Sequence, residues 1–175
     1  SGNVFLKTNS EISAASFSGN QIDIRALSSA PELAEVEHIA VSGKHIWAAA
    51  SQSLFQIPLQ SGVPKLIPTG SDVDELVAAP IRALYARGDK VFVGTTQGVV
   101  ISSDTGQSWT LYTSFSSGLS YDFIDAFTIS REGILWIATG QGLSQATESI
   151  FKFVSTANSA LVNDYVSAIV ESPTD

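Results

Sequence analysis

Four polar residues stand at equivalent points of a repeating pattern in this chain, and they are its best candidates for chemistry. They are Glu37, Arg82, Asp125 and Ser167. A guanidinium beside a carboxylate can bind a polar ligand, or it can form an ion pair that only holds the protein together. Two carboxylates across a cleft could instead hydrolyse a glycosidic bond, and Glu37 with Asp125 is the one plausible couple. Pairing among these residues is the simpler expectation.

Patterns for other chemistries are missing from the sequence. The chain has no Cys, which excludes disulfides, thiolate catalysis and Cys-ligated zinc. His38 and His45 are too few for a metal site. The sequence contains neither a Gly-x-Ser-x-Gly nucleophile turn nor a Gly-rich phosphate loop. Asp72, Asp74 and Glu75 form an acidic cluster that is more typical of a solvated loop than of a Ca²⁺ site. We expect no catalytic residue, no metal and no cofactor.

Composition restricts the partners of the protein. Seventeen acidic and nine basic residues give a net charge of −8, which would repel a phosphate backbone, so we expect no nucleic-acid partner. No apolar run approaches the ~18 residues of a membrane span, and no signal-peptide pattern is present. The composition is compatible with an exported protein and with a cytosolic one.

Repetition is the strongest signal in the sequence. Residues 133–143 are the template of a pattern that recurs at residues 89–99 and 44–54 and, more weakly, at residues 2–12. Each copy carries one aromatic anchor, and the four anchors are Phe5, Trp47, Phe92 and Trp136. The intervals between successive anchors are 42, 45 and 44 residues. A period of ~40–50 residues filled with short apolar strands is typical of propeller blades. Alternation of the bulky anchors with small residues favours packing over ligand binding.

Each repeat is predicted to form four short strands, of which the one before the aromatic strand is the inner strand. The predicted inner strands are Val36–Val41, Ile81–Ala86, Phe123–Ile129 and Tyr165–Val170. We therefore predict an all-β fold, a β-propeller of four four-stranded blades within one domain, residues 1–175. The repeats cover about 2–41, 42–86, 87–130 and 131–175, and strand 165–170 would complete the blade begun at residue 4. The blades either close into a small ring or belong to a larger propeller completed by further sequence or a second chain.

The last third of the chain carries a recognisable motif. Ser117–Phe127 reads as a lead-in followed by an apolar strand, and Glu132–Leu143 continues with Gly-Ile-Leu-Trp-Ile-Ala-Thr and a Gly-Leu pair. This stretch resembles the two-component regulator propeller repeat, with Glu132 in place of the usual Asp and Ala138 in place of the usual Gly. Asn158–Ile169 matches the lead-in of a further repeat. The resemblance implies propeller architecture and a context of signal transduction.

A second motif is Ser102-x-Asp104-x-Gly106-x-x-Trp109, which resembles the Asp-box hairpin of sialidases and other propellers. An Asp in such a turn accepts backbone N–H bonds, the Gly supplies the special backbone conformation, and the Trp covers the turn. We expect a structural role for this hairpin. A sialidase would also need clustered arginines, and the four Arg of this chain lie in separate sequence contexts.

The sequence favours a non-catalytic sensing or protein-interaction module, and the resemblance implies the extracytoplasmic input domain of a two-component-type signalling protein. Its ligand would be a protein partner, a small molecule or an oligosaccharide, and a homodimer could complete a larger ring. The expected compartment is periplasmic or extracellular. A carbohydrate-binding or glycoside-hydrolysing propeller and a scaffold or assembly factor remain alternatives. We expect the contact surface on the four long linkers: residues 28–35, 69–80, 114–122 and 156–164.

Overall fold

Four antiparallel sheets follow one another along the chain. The computed structural model describes residues 4–18, 21–67, 79–147 and 150–172. The sheets, here called blades 1 to 4, contain these strands: β1 (Val4–Thr8), β2 (Glu11–Ser18) and β3 (Gln21–Ser29) in blade 1; β4 (His38–Ser42), β5 (His45–Ala50), β6 (Ser53–Pro58) and β7 (Lys65–Leu66) in blade 2; β8 (Ile81–Arg87), β9 (Lys90–Thr95), β10 (Val99–Ser102) and β11 (Thr110–Tyr112) in blade 3; and β12 (Ile124–Ile129), β13 (Leu135–Thr139), β14 (Gly142–Thr147) and β15 (Ile150–Val154) in blade 4.

The aromatic-bearing strands β5, β9 and β13 lie inside their sheets, and their composition explains why. In β9 every residue from Val91 to Thr95 is buried, because both faces of the sheet are covered by neighbouring blades. Such strands read as nearly continuous apolar runs instead of alternating with polar residues. Tight hairpins link them to the next strand, and Gly98 and Gly142 supply the positive φ angles of 130° and 114° that these turns use.

The blades pack face to face around an axis, which makes the fold a β-propeller. Consecutive inner strands β4, β8 and β12 contact one another, and the core lies in three layers, one at each junction between successive blades. The junction of blades 2 and 3 contains Trp47, Val93 and Trp109. The junction of blades 3 and 4 contains Phe92 and Phe127. The aromatic anchors Trp47 and Phe92 thus act in packing.

A repeated set of hydrogen bonds, here called the inter-blade clasp, joins the β9–β10 hairpin to the connection after blade 3, and the β13–β14 hairpin to the connection after blade 4. The amide of Gly98 donates to the carbonyl oxygen of Asp122 at 2.8 Å, and the amide of Gly142 donates to that of Asp164 at 2.5 Å. The Asp122 carboxylate accepts from the amide and hydroxyl of Ser114. The Asp164 carboxylate accepts in the same way from Thr156. Residues 156–164 therefore reproduce the connection into blade 4, as the lead-in motif predicts.

The predicted strand Tyr165–Val170 does not form. No residue of this segment lies in a strand. Strand β1 pairs with β2 alone, so blade 1 has three strands among the described residues. Among the described residues, the segment is bonded to blade 4 only through the amide of Val166, which donates to the carbonyl oxygen of Thr139 at 3.1 Å. One such bond does not make the continuous ladder of partners that a strand needs.

Among the described residues, the linkers contain two short helical pieces. Pro31–Leu33 forms a 3-10 turn, within the linker where a helical turn is compatible with the sequence. Helix α1 (Ser114–Ser117) begins at a Thr113 cap, whose hydroxyl accepts from the Ser116 amide, and ends at Gly118. The acidic cluster of Asp72, Asp74 and Glu75 lies outside the described residues. No helix in the described parts of the chain is long and apolar enough to cross a membrane.

Candidate functional site

Arg82 and Asp125 occupy the same irregular position in two neighbouring blades. The register of β8 against β9 shifts between Ile81 and Ala83, and the register of β12 against β13 shifts between Ile124 and Ala126. In each inner strand the extra residue is the candidate polar one. Bulges of this kind redirect a side chain, and they are frequent beside binding and active sites.

The two redirected side chains meet across the junction of blades 3 and 4. Arg82 Nη2 donates to Asp125 Oδ1 at 2.8 Å. The guanidinium carbon also lies 4.1 Å from the centre of the Phe123 ring, a cation–π distance. Asp125 is 5% exposed and Arg82 is 37% exposed, so a buried carboxylate holds a partly exposed arginine side chain. Arg82 Nε and Asp125 Oδ2 are buried without a hydrogen-bond partner among the described residues.

Glu37 and Ser167 are not drawn into this pair. Glu37 precedes β4, is exposed, and donates its backbone amide to the carbonyl oxygen of Ala49 at 2.9 Å. Ser167 is exposed in the segment that forms no strand. No hydrogen bond among the described residues joins either side chain to Arg82 or Asp125. Geometry therefore brings two of the four candidates together, and it leaves the other two out of the pair.

Two further residues belong to the site although their motifs do not single them out. Phe123 stacks on the Arg82 guanidinium, and its signal is an aromatic residue two positions before the redirected Asp125. His38 is half-buried beside Glu37 and Arg82; burial lowers the pKa of His38 from 6.5, the positive charge of Arg82 lowers it further, and Glu37 opposes the change. Burial therefore favours the neutral form of the imidazole, which can donate one hydrogen bond and accept another.

The Asp104 hairpin is a separate feature, and the hydrogen bonds of the Asp104 carboxylate stabilise the turn itself. Asp104 Oδ1 accepts from the Ser102 hydroxyl at 2.8 Å and from the amides of Gln107 and Ser108 at 3.0 and 2.9 Å, and Oδ2 accepts from the Ser108 hydroxyl at 2.6 Å. Gly106 has a φ of 82°, and Trp109 is buried. These bonds, those from Ser108 first, hold the pKa of Asp104 at about 2, below its ordinary 3.8.

We expect Asp104→Ala to lower the melting temperature at neutral pH by several degrees, because four hydrogen bonds to a charged group are lost. A carboxyl group whose pKa is depressed by folding stabilises the protein above its unfolded pKa and loses that effect as pH falls through the folded value. The difference between wild type and variant should therefore shrink between about pH 4 and pH 2. Calorimetry across this range measures it, with Asp23→Ala in exposed β3 as the control. A difference that is independent of pH would contradict the role of the ionised carboxylate.

Comparison with known proteins identifies the fold. No protein-family model matches the chain, and no curated protein matches it. Among solved structures, the extracellular domain of BT4673 from B. thetaiotaomicron, described there as a hybrid two-component system, aligns with a TM-score of 0.63 at 12% identity over 90% of this chain and 21% of that one. The chain thus spans about a fifth of that extracellular domain.

Other propellers show comparable likeness with different functions. YCF48 bound to D1 peptide aligns with a TM-score of 0.57 at 14% identity, over 86% of this chain and 50% of that one. An ancestral GH74 enzyme, AFV00434, aligns with a TM-score of 0.55 at 11% identity, over 86% of this chain and 23% of that one. At such identities the likeness establishes the β-propeller fold, and a fold of this kind hosts many functions.

Proposed function

We propose that this chain is a non-catalytic sensing or protein-interaction propeller module, of the type that serves as the extracytoplasmic input domain of two-component signalling proteins. The observation that carries the proposal is the Arg82–Asp125 pair, a partly exposed arginine held by a buried carboxylate at the start of the inner strands. The extracellular propeller domain to which the chain is similar supports the context.

The site suits recognition of a ligand that bears acceptor oxygens. The salt bridge from Asp125 and the ring of Phe123 restrict the Arg82 side chain, so little rotamer freedom is lost when a ligand binds. His38, whose pKa is lowered first by burial, lies within electrostatic reach of Arg82 and can add one further donor or acceptor. Such a set matches the hydroxyl and carboxylate groups of an oligosaccharide or the carbonyl groups of a peptide.

The same geometry argues against glycoside hydrolysis. An acid–base couple needs two carboxyl groups that reach one bond and hold suitable protonation states. Asp125 is 5% exposed and already bonded to Arg82, and Arg82 belongs to the blade that stands between Glu37 and Asp125. The release of nitrophenol from nitrophenyl glycosides, abolished in Glu37→Gln or Asp125→Asn, would overturn the non-catalytic assignment.

Thermal-shift titration with a panel of oligosaccharides, with and without uronic acids, tests the sensing role. We expect at least one oligosaccharide to raise the melting temperature with saturation, because a ligand that binds only the folded protein stabilises it. Arg82→Ala should weaken that binding about tenfold or more, as expected for loss of a hydrogen bond to a charged group. Arg82→Lys keeps the positive charge but lacks the planar set of donors of a guanidinium, so it should retain only part of the ligand binding.

Asp125→Asn separates positioning from direct contact. It leaves Arg82 in place but removes the charge that orients it, so we expect weaker binding with a folded protein. A response that is unchanged in all three variants would remove this site from consideration. A peptide array screened in parallel distinguishes a protein-interaction module or scaffold from a saccharide sensor.

Blade 1 offers a second surface, suited to protein contacts. Its face directed away from blade 2 exposes large apolar side chains at Val4, Leu6, Ile22 and Ile24, with exposures from 39% to 65%. Continuous exposed apolar surface of this kind is typical of an interface. Further blades would pack here, from additional sequence or from a second copy that completes a larger ring.

A further inference from the structure

The junction of blades 3 and 4 contains a cleft of about 290 Å³. Phe92, Ile101 and Tyr112 line it from blade 3, and Ile129, Leu135 and Ala146 line it from blade 4. The cleft is separate from the Arg82–Asp125 pair, because it lies toward the opposite ends of strands β8 and β12. It opens beside the β8–β9 and β12–β13 hairpins.

The preceding junction shows how this fold fills the corresponding space. Between blades 2 and 3 the Trp47 indole is 1% exposed and meets Trp109 edge-on, with ring centroids 6.1 Å apart. A Cβ added at Gly106 would lie only 2.5 Å from Trp47 Cη2. Two indole rings and the hairpin above them therefore occupy that position completely.

Neither indole has a counterpart between blades 3 and 4. Phe92 takes the place of Trp47 as the aromatic anchor. Trp109 comes from the seven-residue loop 103–109 between β10 and β11, whereas β14 and β15 are separated only by residues 148 and 149. The residue before β15 is Ser149. The cleft is thus the space that a bicyclic side chain fills one junction earlier.

Two aromatic side chains, Phe92 and Tyr112, line the cleft, and both pack against further rings. Tyr112 packs on Phe151 with ring centroids 5.3 Å apart, and Phe92 is held between Tyr85 and Phe127 at 6.1 Å from each. A volume near the lower end of ligand pockets, ~300–1,000 Å³, suits one or two fused rings. A flat apolar ring can pack against these walls in the offset or edge-on geometry that aromatic pairs prefer.

Charge at the rim restricts the ligand further. Lys90 and Ser103 line the opening, and both are exposed. No hydrogen bond or ion pair joins the Lys90 side chain to another of the described residues. We propose that this cleft binds a planar aromatic carboxylate of one or two rings, with the rings inside and the carboxylate at Lys90 and Ser103. This is a binding site additional to the Arg82–Asp125 site.

Titration calorimetry with 1-naphthoate and indole-3-acetate tests the proposal. For ligands of about a dozen heavy atoms we expect Kd values on the order of 0.1–1 mM. Lys90→Gln is an exposed change that should leave folding intact; it should weaken 1-naphthoate binding about two- to fivefold and reduce its salt dependence. The neutral analogue 1-naphthalenemethanol should bind wild type and Lys90→Gln equally.

Ala146→Phe fills the cleft from blade 4 and should abolish binding of both carboxylates. Its melting temperature shows whether the variant is folded, and the Lys90→Gln result stands independently of it. Arg82→Ala should bind 1-naphthoate like wild type, which separates this site from the proposed sensing site. No heat of binding in wild type, or binding that survives both Lys90→Gln and Ala146→Phe unchanged, would overturn the proposal.

Discussion

Trp47→Ala should reduce the free energy of unfolding by about 3–5 kcal/mol, the range typical of large aromatic residues in cores. Trp47 is 1% exposed and fills the junction of blades 2 and 3 against Trp109 and the Asp104 hairpin. The surrounding strands belong to two different sheets and cannot collapse into the space, so most of the cavity would persist. Urea denaturation gives the free energy, and the melting temperature should fall by about 10 °C or more.

Trp136→Ala is the matched control, because Trp136 holds the equivalent position in blade 4. Trp136 is only half-buried, in a groove beside Ile169 and Val170, so its truncation removes less buried surface and leaves an open space for water. We expect less than half the loss found for Trp47→Ala. Equal losses of unfolding free energy in the two variants would contradict the expectation that Trp47 stabilises the fold by filling the junction of blades 2 and 3.

Gly98→Ala should cost about 2–4 kcal/mol, although it adds a single methyl group. Gly98 has a φ of 130°, a conformation that side chains rarely adopt. Its added Cβ would lie 2.5 Å from the backbone carbonyl oxygen of Tyr112 and 3.3 Å from Leu111 Cδ1. The Gly98 amide also belongs to the inter-blade clasp through Asp122, so relief of the clash by movement would weaken the joint between blades 3 and 4.

Gly88→Ala separates two contributions to the cost expected at Gly98, the backbone conformation with positive φ and the steric clash with Tyr112. Gly88 has a φ of 62°, and a Cβ there would meet nothing within 4 Å. Its cost should be that of the left-handed conformation alone, about 1 kcal/mol. Urea titrations of both variants measure the difference. If Gly98→Ala proved no more costly than Gly88→Ala, the close approach to Tyr112 would be absent in solution.

The aromatic-bearing strands are predicted well from sequence, because their burial on both faces leaves a local pattern. Strand β13, Leu135–Thr139, lies within the template pattern of residues 133–143. The outer strand β7 contains only Lys65 and Leu66, since the flanking Pro64 and Pro68 cannot donate to a ladder. Tyr165–Val170 has the local pattern of an inner strand, but strand formation depends on a distant partner that sequence alone does not supply.

The candidate site is predicted in part for the same reason. Alignment of the repeats places Arg82 and Asp125 at one position, and the structure joins them. The alignment could not show that equivalent register shifts turn both side chains toward each other, nor that Glu37 and Ser167 do not join the pair. Phe123 acts through its ring face, a contact that depends on the three-dimensional path of a linker.

The inter-blade clasp has a consequence for how such a chain can change over evolutionary time. Its partners are main-chain groups, one Asp and a small hydroxyl residue, repeated 42 positions apart at Ser114–Asp122 and Thr156–Asp164. A duplicated repeat would carry its own fastening with it and would need no newly matched surface to attach. Gene duplication could therefore lengthen the array one unit at a time, while the rest of each unit diverges almost freely.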